Sequence, residues 1–240
     1  MLQIIKLEIK KYKLKKYIKG VFAAIFCIMA FLTMSFVDNK TRTPNDLDTW
    51  QSVVLMANIL STYVFLIFSS ALTAKIIIGE YKDRTILVMF SYPVDRKKLI
   101  IAKLIIVVVF AVVCILISDM LCISYAVILD SIIDVVAGNF SFSYISDAYL
   151  IFLGFISAGG VLALLPFAVG MRKKSVPSTV LTAVVVSALM QPVLGGKYAT
   201  LQGTVVKFIV VALVSFGAAA YTVMKKINSI QHQCIIYKVL

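Results

Sequence analysis

Few side chains in this sequence have the chemistry of a reactive site, and the most conspicuous is a carboxylate. Asp119 is the only charged residue between Leu104 and Leu129, a run otherwise made of apolar and small polar side chains. A carboxylate at the centre of a membrane helix costs ~2.5–3.5 kcal/mol, so such a residue usually works or has a partner. Counted from Leu99, Asp119 lies ~30 Å along a helix, which reaches the outer edge of a bilayer. Water there would remove most of the cost, and this boundary position is preferred over a proton or ion relay.

Other reactive types are sparse. The single histidine, His232, falls in the last ten residues, where a solvated position is expected. Cys27, Cys114 and Cys122 lie in apolar runs and Cys234 in the tail, without the spacing of a zinc site or a disulfide framework. No glycine loop ends in a lysine, and no acidic residue follows a strand to hold magnesium. The chain is therefore not expected to be an enzyme or to hold a metal or cofactor of its own.

The elements around Asp119 follow from composition. Hydrophobic residues make up 61% of the 240, with a mean hydropathy of +1.00, whereas a soluble domain is about 45–50% apolar. The excess falls in blocks near the ~20 residues that a helix needs to cross ~30 Å of hydrocarbon. Six spans are read, at about 20–37, 53–78, 100–122, 148–170, 178–194 and 205–224. The apolar run at 100–129 would measure ~45 Å as a helix, so it must tilt, project or break. Pro166, Pro177 and Pro192 mark bends or ends in the fourth and fifth spans. The fold class is thus an all-α integral membrane protein, a single domain over 1–240, with a six-span bundle at 20–224 and a tail at 225–240. The apolar block Gly20–Val37 follows too long a charged region, and lacks the small-residue site, for a cleaved signal.

The net charge of +13 reads as membrane orientation rather than nucleic-acid binding, because the basic residues sit between apolar blocks. Of 24 lysines and arginines, twenty fall on one side of the six-span alternation. They include seven lysines before the first span and seven basic residues from Lys75 to Lys103; only Lys40, Arg42, Lys197 and Lys207 face the other side. Both termini are therefore expected in the cytoplasm. Residues 1–19 are helix-competent, with Leu2, Ile5, Ile9 and Tyr12 on one stripe beside lysines. They suit an amphipathic helix lying in the inner headgroup layer, although a plain positive anchor would look similar.

Two polar stripes run along otherwise apolar spans. In the second, Gln51, Asn58, Thr62, Ser69 and Thr73 fall within ~60° on a helical wheel. In the fifth, Thr179, Ala183, Ser187 and Gln191 form a ridge of small or polar residues. Such stripes turn from lipid, toward either a wet pathway or a close helix neighbour.

The longest connection on the basic side is GEYKDRTILVMFSYPVDRKK, residues 79–98. Its apolar middle, Thr85–Phe90, is bracketed by charges and then by Pro93 and the Asp95–Lys98 cluster, and it needs lipid or a partner to cover it. Glu80 at the end of the second span comes first, then Arg84-Thr85 and the apolar stretch. The turn at Pro93, the basic pair Arg96-Lys97 and Lys103 in the third span complete the order. This resembles the membrane subunit of type-2 ATP-binding-cassette (ABC) exporters, especially the small bacitracin-resistance and lantibiotic-immunity permeases. The resemblance covers the whole chain in topology and the segment 79–98 in motif; the fifth-to-sixth connection, Gly195–Thr204, is shorter than the family's small re-entrant helices need.

The resemblance implies a cytoplasmic coupling helix between spans two and three, docked on a separate ATPase through Glu80, Arg84, Thr85, Leu87, Met89 and Phe90. ATP and magnesium would bind that ATPase, not this chain. It implies a second permease subunit, identical or related, and a translocation route near spans two and five, making Asn58, Thr62, Ser69, Thr73, Ser187 and Gln191 candidates to line it. It further implies a multi-pass protein of a bacterial cytoplasmic membrane exporting an antimicrobial peptide or another amphipathic or lipid-linked compound. The external aspartates, among them Asp38 and Asp130, could meet a cationic substrate or simply be solvated. Competing readings are an ATP-independent secondary transporter or channel, which would need charges near the membrane midplane and for which Asp119 is the lone candidate, and a membrane scaffold or sensor. Orientation is directly testable: in a background without native cysteines, an impermeant thiol reagent applied to intact cells should label Lys40→Cys and spare Lys97→Cys. Labelling of Lys97→Cys from outside would invert the topology.

Overall fold

The computed structural model describes residues 2–12, 15–41, 50–79, 96–133, 136, 156–157, 159–173, 175–190 and 209–224. Among them regular structure is helical. In chain order the helices are α1 (Leu2–Lys11), α2 (Lys15–Thr41), α3 (Trp50–Thr73), α4 (Arg96–Ile133), α5 (Leu164–Lys173), α6 (Val176–Leu189) and α7 (Ile209–Met224). The coupling segment from Glu80 to Phe90, Gln191, the 195–204 connection and the tail with His232 lie outside the described residues.

Among the described residues, three stretches are long and apolar enough to cross a membrane: Tyr17–Asp38, Ser52–Ile78 and Leu99–Ile132; α6 and α7 are shorter apolar helices. These helices are apolar on both faces, as expected where one face packs and the other meets lipid. In α2, Val21, Ile25, Ile28, Leu32 and Phe36 are buried while Phe22, Phe26 and Met34 stand exposed. α4 carries the inversion further: Ile105, Val109, Val113, Ile117 and Met120 face outward, and its polar residues Lys103, Ser118 and Asp119 face inward.

Two readings are narrowed. The third apolar run does not break. α4 is unbroken for 38 residues, ~57 Å at 1.5 Å per residue, and it contains neither glycine nor proline. Its far end is closed by Asp130, whose Oδ1 accepts the backbone N–H of Val136 at 2.9 Å. The N-terminal nineteen residues do not form one surface helix either. The chain turns at Tyr12, and Lys15–Lys19 already belong to α2. Pro166 stands in the first turn of α5 and Pro177 in the first turn of α6 after an extended Ser175, while Pro192 lies outside the described residues.

The chain divides into two compact units. One holds the described residues of 14–65 and 112–159, with a core cluster of Phe36, Trp50, Val53, Ala126 and Val136. The other holds the described residues of 1–13, 66–111 and 160–240. In this unit α3 ends in a π-helical turn, Ala74–Ile78, closed by the N–H of Gly79 on the carbonyl of Ala74. Phe68 stacks on Phe110 with ring centroids 5.9 Å apart, and the Arg172 guanidinium sits 5.8 Å from the Tyr221 ring centroid, joining α5 to α7.

Gly170 is the tightest helix contact in that second unit. A Cβ there would collide with Ile78 Cδ1 and Thr179 Oγ1, so α5 meets both the π turn and α6 only because the residue has no side chain. Gly170→Val should therefore lower unfolding stability by about 1–3 kcal/mol through overpacking, read as an earlier thermal transition of the purified protein. An unchanged transition would mean that α5 can step away from its neighbours.

Candidate functional site

Two groups of buried polar side chains distinguish the described helices, one in each unit. The first gathers around Lys103, which is 2% exposed. Its Nζ lies 3.4 Å from the carbonyl of Ile76, 3.5 Å from Tyr12 Oη and 3.7 Å from Glu8 Oε2. The Glu8 contact is of ion-pair length rather than a hydrogen bond, and its Oε2 has no hydrogen-bond partner. Proximity of charge, not a shared proton, is what balances this buried carboxylate. Tyr12 Oη also donates to the Ile76 carbonyl at 3.1 Å, and its ring lies 5.5 Å from the Lys103 ammonium.

Local structure explains why these groups meet. The last carbonyls of a helix have no intrahelical donors, and the π turn Ala74–Ile78 puts one of them, that of Ile76, beside the start of α4. The turn at Tyr12 begins with its own N–H on the Glu8 carbonyl at 3.1 Å, which lets the phenol reach Ile76. Three separate segments, α1, the end of α3 and the start of α4, are thereby fastened through one lysine. Ile76 and Lys103 flank residues 80–95 on either side in sequence.

The second group lies in the other unit, where α3 again faces α4. Asn58 Nδ2 donates to Asp119 Oδ2 at 3.1 Å, and the hydroxyls of Ser61 and Ser118 share a hydrogen bond of 3.0 Å. Asp119 is 0% exposed. The expected watered boundary position is thus corrected: the carboxylate is enclosed between helices, and an amide rather than solvent meets it. One oxygen of each side chain, Asp119 Oδ1 and Asn58 Oδ1, is buried without a hydrogen-bond partner. Beside the pair, Thr62 and Ile115 pack so closely on Gly159 that a Cβ there would stand 3.1 Å from Thr62 Cγ2 and 3.0 Å from Ile115 Cδ1.

The family described as "ABC-2 family transporter protein" matches residues 4–188. An uncharacterized protein of Bacillus subtilis (strain 168), YcbO, is 32% identical over 189 residues, which cover 79% of this chain and 83% of that protein. No solved structure matches. The chain belongs to the ABC-2 transporter family. Members of this family are the membrane component of ABC transport systems and are not themselves catalytic.

Within this ABC-2 protein the candidate residues fall into three sets. Asn58 and Asp119 are brought together. Thr62, Ser69 and Thr73 are buried, and each hydroxyl donates to a carbonyl of its own helix, at Asn58, Leu66 and Ser69 respectively. Ser187 is likewise buried and donates to Val184, while Thr179 of the same ridge lies against Gly170. Glu80, Arg84, Thr85, Leu87, Met89, Phe90 and Gln191 fall outside the described residues. Sequence reasoning missed Glu8, Tyr12, Ser61 and Ser118. A signal existed for Glu8, the only acidic residue before Asp38 and set among seven lysines. Ser61 and Ser118 each adjoin a residue that was singled out, but nothing in the sequence pairs them.

The Lys103 contacts lead to a measurable expectation. Lys103→Met leaves Glu8 buried without its cation, which should cost about 3–5 kcal/mol of stability. Adding Glu8→Gln to that variant should recover part of the loss, seen as a coupling in a double-mutant cycle of unfolding free energies. Strict additivity of the two substitutions would mean that the pair does not interact.

Proposed function

We propose that this chain is the permease subunit of an ATP-driven ABC exporter. The observation that carries this reading is the family match across residues 4–188. In the proposed arrangement six spans cross a bacterial cytoplasmic membrane with both termini inside. Two permease subunits, identical or related, assemble with two separate ATPase subunits that bind ATP and magnesium.

The coupling element is residues 79–98. Its apolar face at Thr85–Phe90 docks on the ATPase, with Glu80 and Arg84 as charged contacts at its start. Support for this assignment comes from the Lys103 contacts. A push on the segment is useful only if its roots are fastened, and its two sequence neighbours, Ile76 and Lys103, are joined to each other and to α1. Motion delivered by the ATPase would then reach α3 and α4 together instead of being absorbed by a slack hairpin. The cargo we favour is an antimicrobial peptide or another amphipathic or lipid-linked compound, on the resemblance to small resistance permeases. The buried hydroxyls of Thr62, Ser69 and Thr73 fit a role in helix packing at least as well as one in lining the route, since they are already bonded to their own helix.

A separate ATPase should copurify with the full-length chain, and its activity should rise in the complex. The double variant Glu80→Ala/Arg84→Ala should lower that stimulation by about 5- to 150-fold, the ordinary range of coupling between sites, while the thermal transition of the permease stays in place. Full stimulation in the double variant would remove these two residues from the coupling contact. Failure to recover any nucleotide-hydrolysing partner would remove the exporter reading.

A further inference from the structure

The Lys103 cluster serves the coupling already proposed, and the apolar faces of α2, α4 and α7 are what lipid requires. Asp119 is different, because no part of the proposed export mechanism uses it. It sits at 0% exposure, and the groups that meet it are neutral: Asn58 donates to Oδ2, and the Ser61 hydroxyl lies beside it, while Oδ1 has no hydrogen-bond partner. No lysine or arginine occurs from Thr43 to Ala74, which contains α3, or from Leu104 to Met171, which contains the rest of α4 beyond Lys103. Lys103 lies 16 residues back along α4, ~24 Å away along the axis, and is engaged by Glu8.

Among the described residues that share the unit, no titratable group supplies a counter-charge. On α3 there is Tyr63; on α4 there are Cys114, Cys122, Tyr125 and Asp130; on α2, Lys19, Cys27 and Asp38 are exposed. A buried carboxylate with no built-in cation is neutralised by one that binds. The surroundings are suited to receive it. Asp119 Oδ1 and Asn58 Oδ1 are both buried acceptors without partners; Ser118 precedes Asp119 on α4, Ser61 lies one turn beyond Asn58 on α3, and the two hydroxyls share one hydrogen bond. Carboxylate, amide carbonyl and hydroxyl oxygens are ligands for a hard ion. Transition-metal chemistry is not what they offer, since among the described residues no three histidine, cysteine or acidic side chains come together.

We infer that Asp119, with Asn58, Ser61 and Ser118, forms a buried site on the α3–α4 pair that takes up one monovalent cation, either a proton or an alkali ion such as Na+. The site lets the carboxylate lie between membrane helices as a neutral unit. It can fill or empty only when the two helices part enough to admit the ion. This reading is independent of the export proposal, because binding is measured on the permease itself without ATP or cargo.

The test uses the full-length chain in lipid bilayers, with infrared difference spectra of wild type minus Asp119→Asn recorded from mildly acidic to mildly alkaline pH, in NaCl or in choline chloride. A carboxylic acid band assigned to Asp119, whether it persists or fades as pH rises, identifies the proton as the bound cation. A carboxylate band that shifts with Na+ and not with choline identifies an alkali ion. The band of a free carboxylate, unmoved by pH or Na+, overturns the site. Should Asp119→Asn fail to accumulate, labelling of the wild type by dicyclohexylcarbodiimide, mapped on peptides, replaces it. Asp119 labelled at a rate that falls about tenfold per pH unit as it ionises, or that Na+ slows, supports the site. No label on Asp119 at any pH overturns it.

Discussion

The governing constraint is that polar groups between membrane helices have no water to turn to. A hydroxyl, amide or charge placed there must find its partner within the protein or carry the cost of burial. That requirement orders the described helices inside out relative to a soluble bundle. The outward faces of α2 and α4 are phenylalanine, isoleucine, valine and methionine, while Lys103, Ser118 and Asp119 point inward. Hydrophobic burial cannot by itself hold such helices together, because lipid is as apolar as the neighbouring helix. Close contact at residues without side chains, as at Gly159 and Gly170, and a few polar contacts do the holding instead.

The polar contacts divide by kind. Most hydroxyls, such as those of Thr62, Ser69, Ser70 and Thr73, are satisfied on their own helix by a carbonyl three or four residues back. They ask nothing of neighbouring helices and leave those surfaces free to slide. Lys103 and Asp119 cannot be satisfied in that way, because a charge needs an opposite charge or several dipoles. Lys103 recruits a carbonyl, a phenol and a carboxylate from three other turns of chain. Asp119 recruits only neutral groups, the Asn58 amide and the Ser61 hydroxyl beside it. The first is a fastening close to a segment proposed to receive mechanical work. The second is underprovided, and that shortfall makes it a candidate ion site.

How much of this was legible in the sequence depends on the kind of interaction. Apolar block length located the helices around 20–37, 53–78 and 100–122, since the period and extent of hydrophobic residues are local properties. Block length did not say whether the long run at 100–129 would break. The absence of glycine and proline from α4 was the clue that it continues. Charge asymmetry yielded an orientation, which stands as an expectation. The coupling motif at 79–98 led to the ABC-2 family, to which the chain belongs over residues 4–188.

The sequence alone therefore determined that this is a chain of membrane helices, with its basic residues gathered mostly before and between the apolar blocks, because hydropathy and charge are written residue by residue along one dimension. Only the tertiary structure decided that Glu8 and Tyr12 reach Lys103, that Asn58 meets Asp119, and that Asp119 is dry. Those pairs are 61 to 95 positions apart. No period in the sequence encodes which face of α4 meets which face of α3; that is settled by fitting small residues under neighbouring side chains and by the need of each buried charge to find a partner.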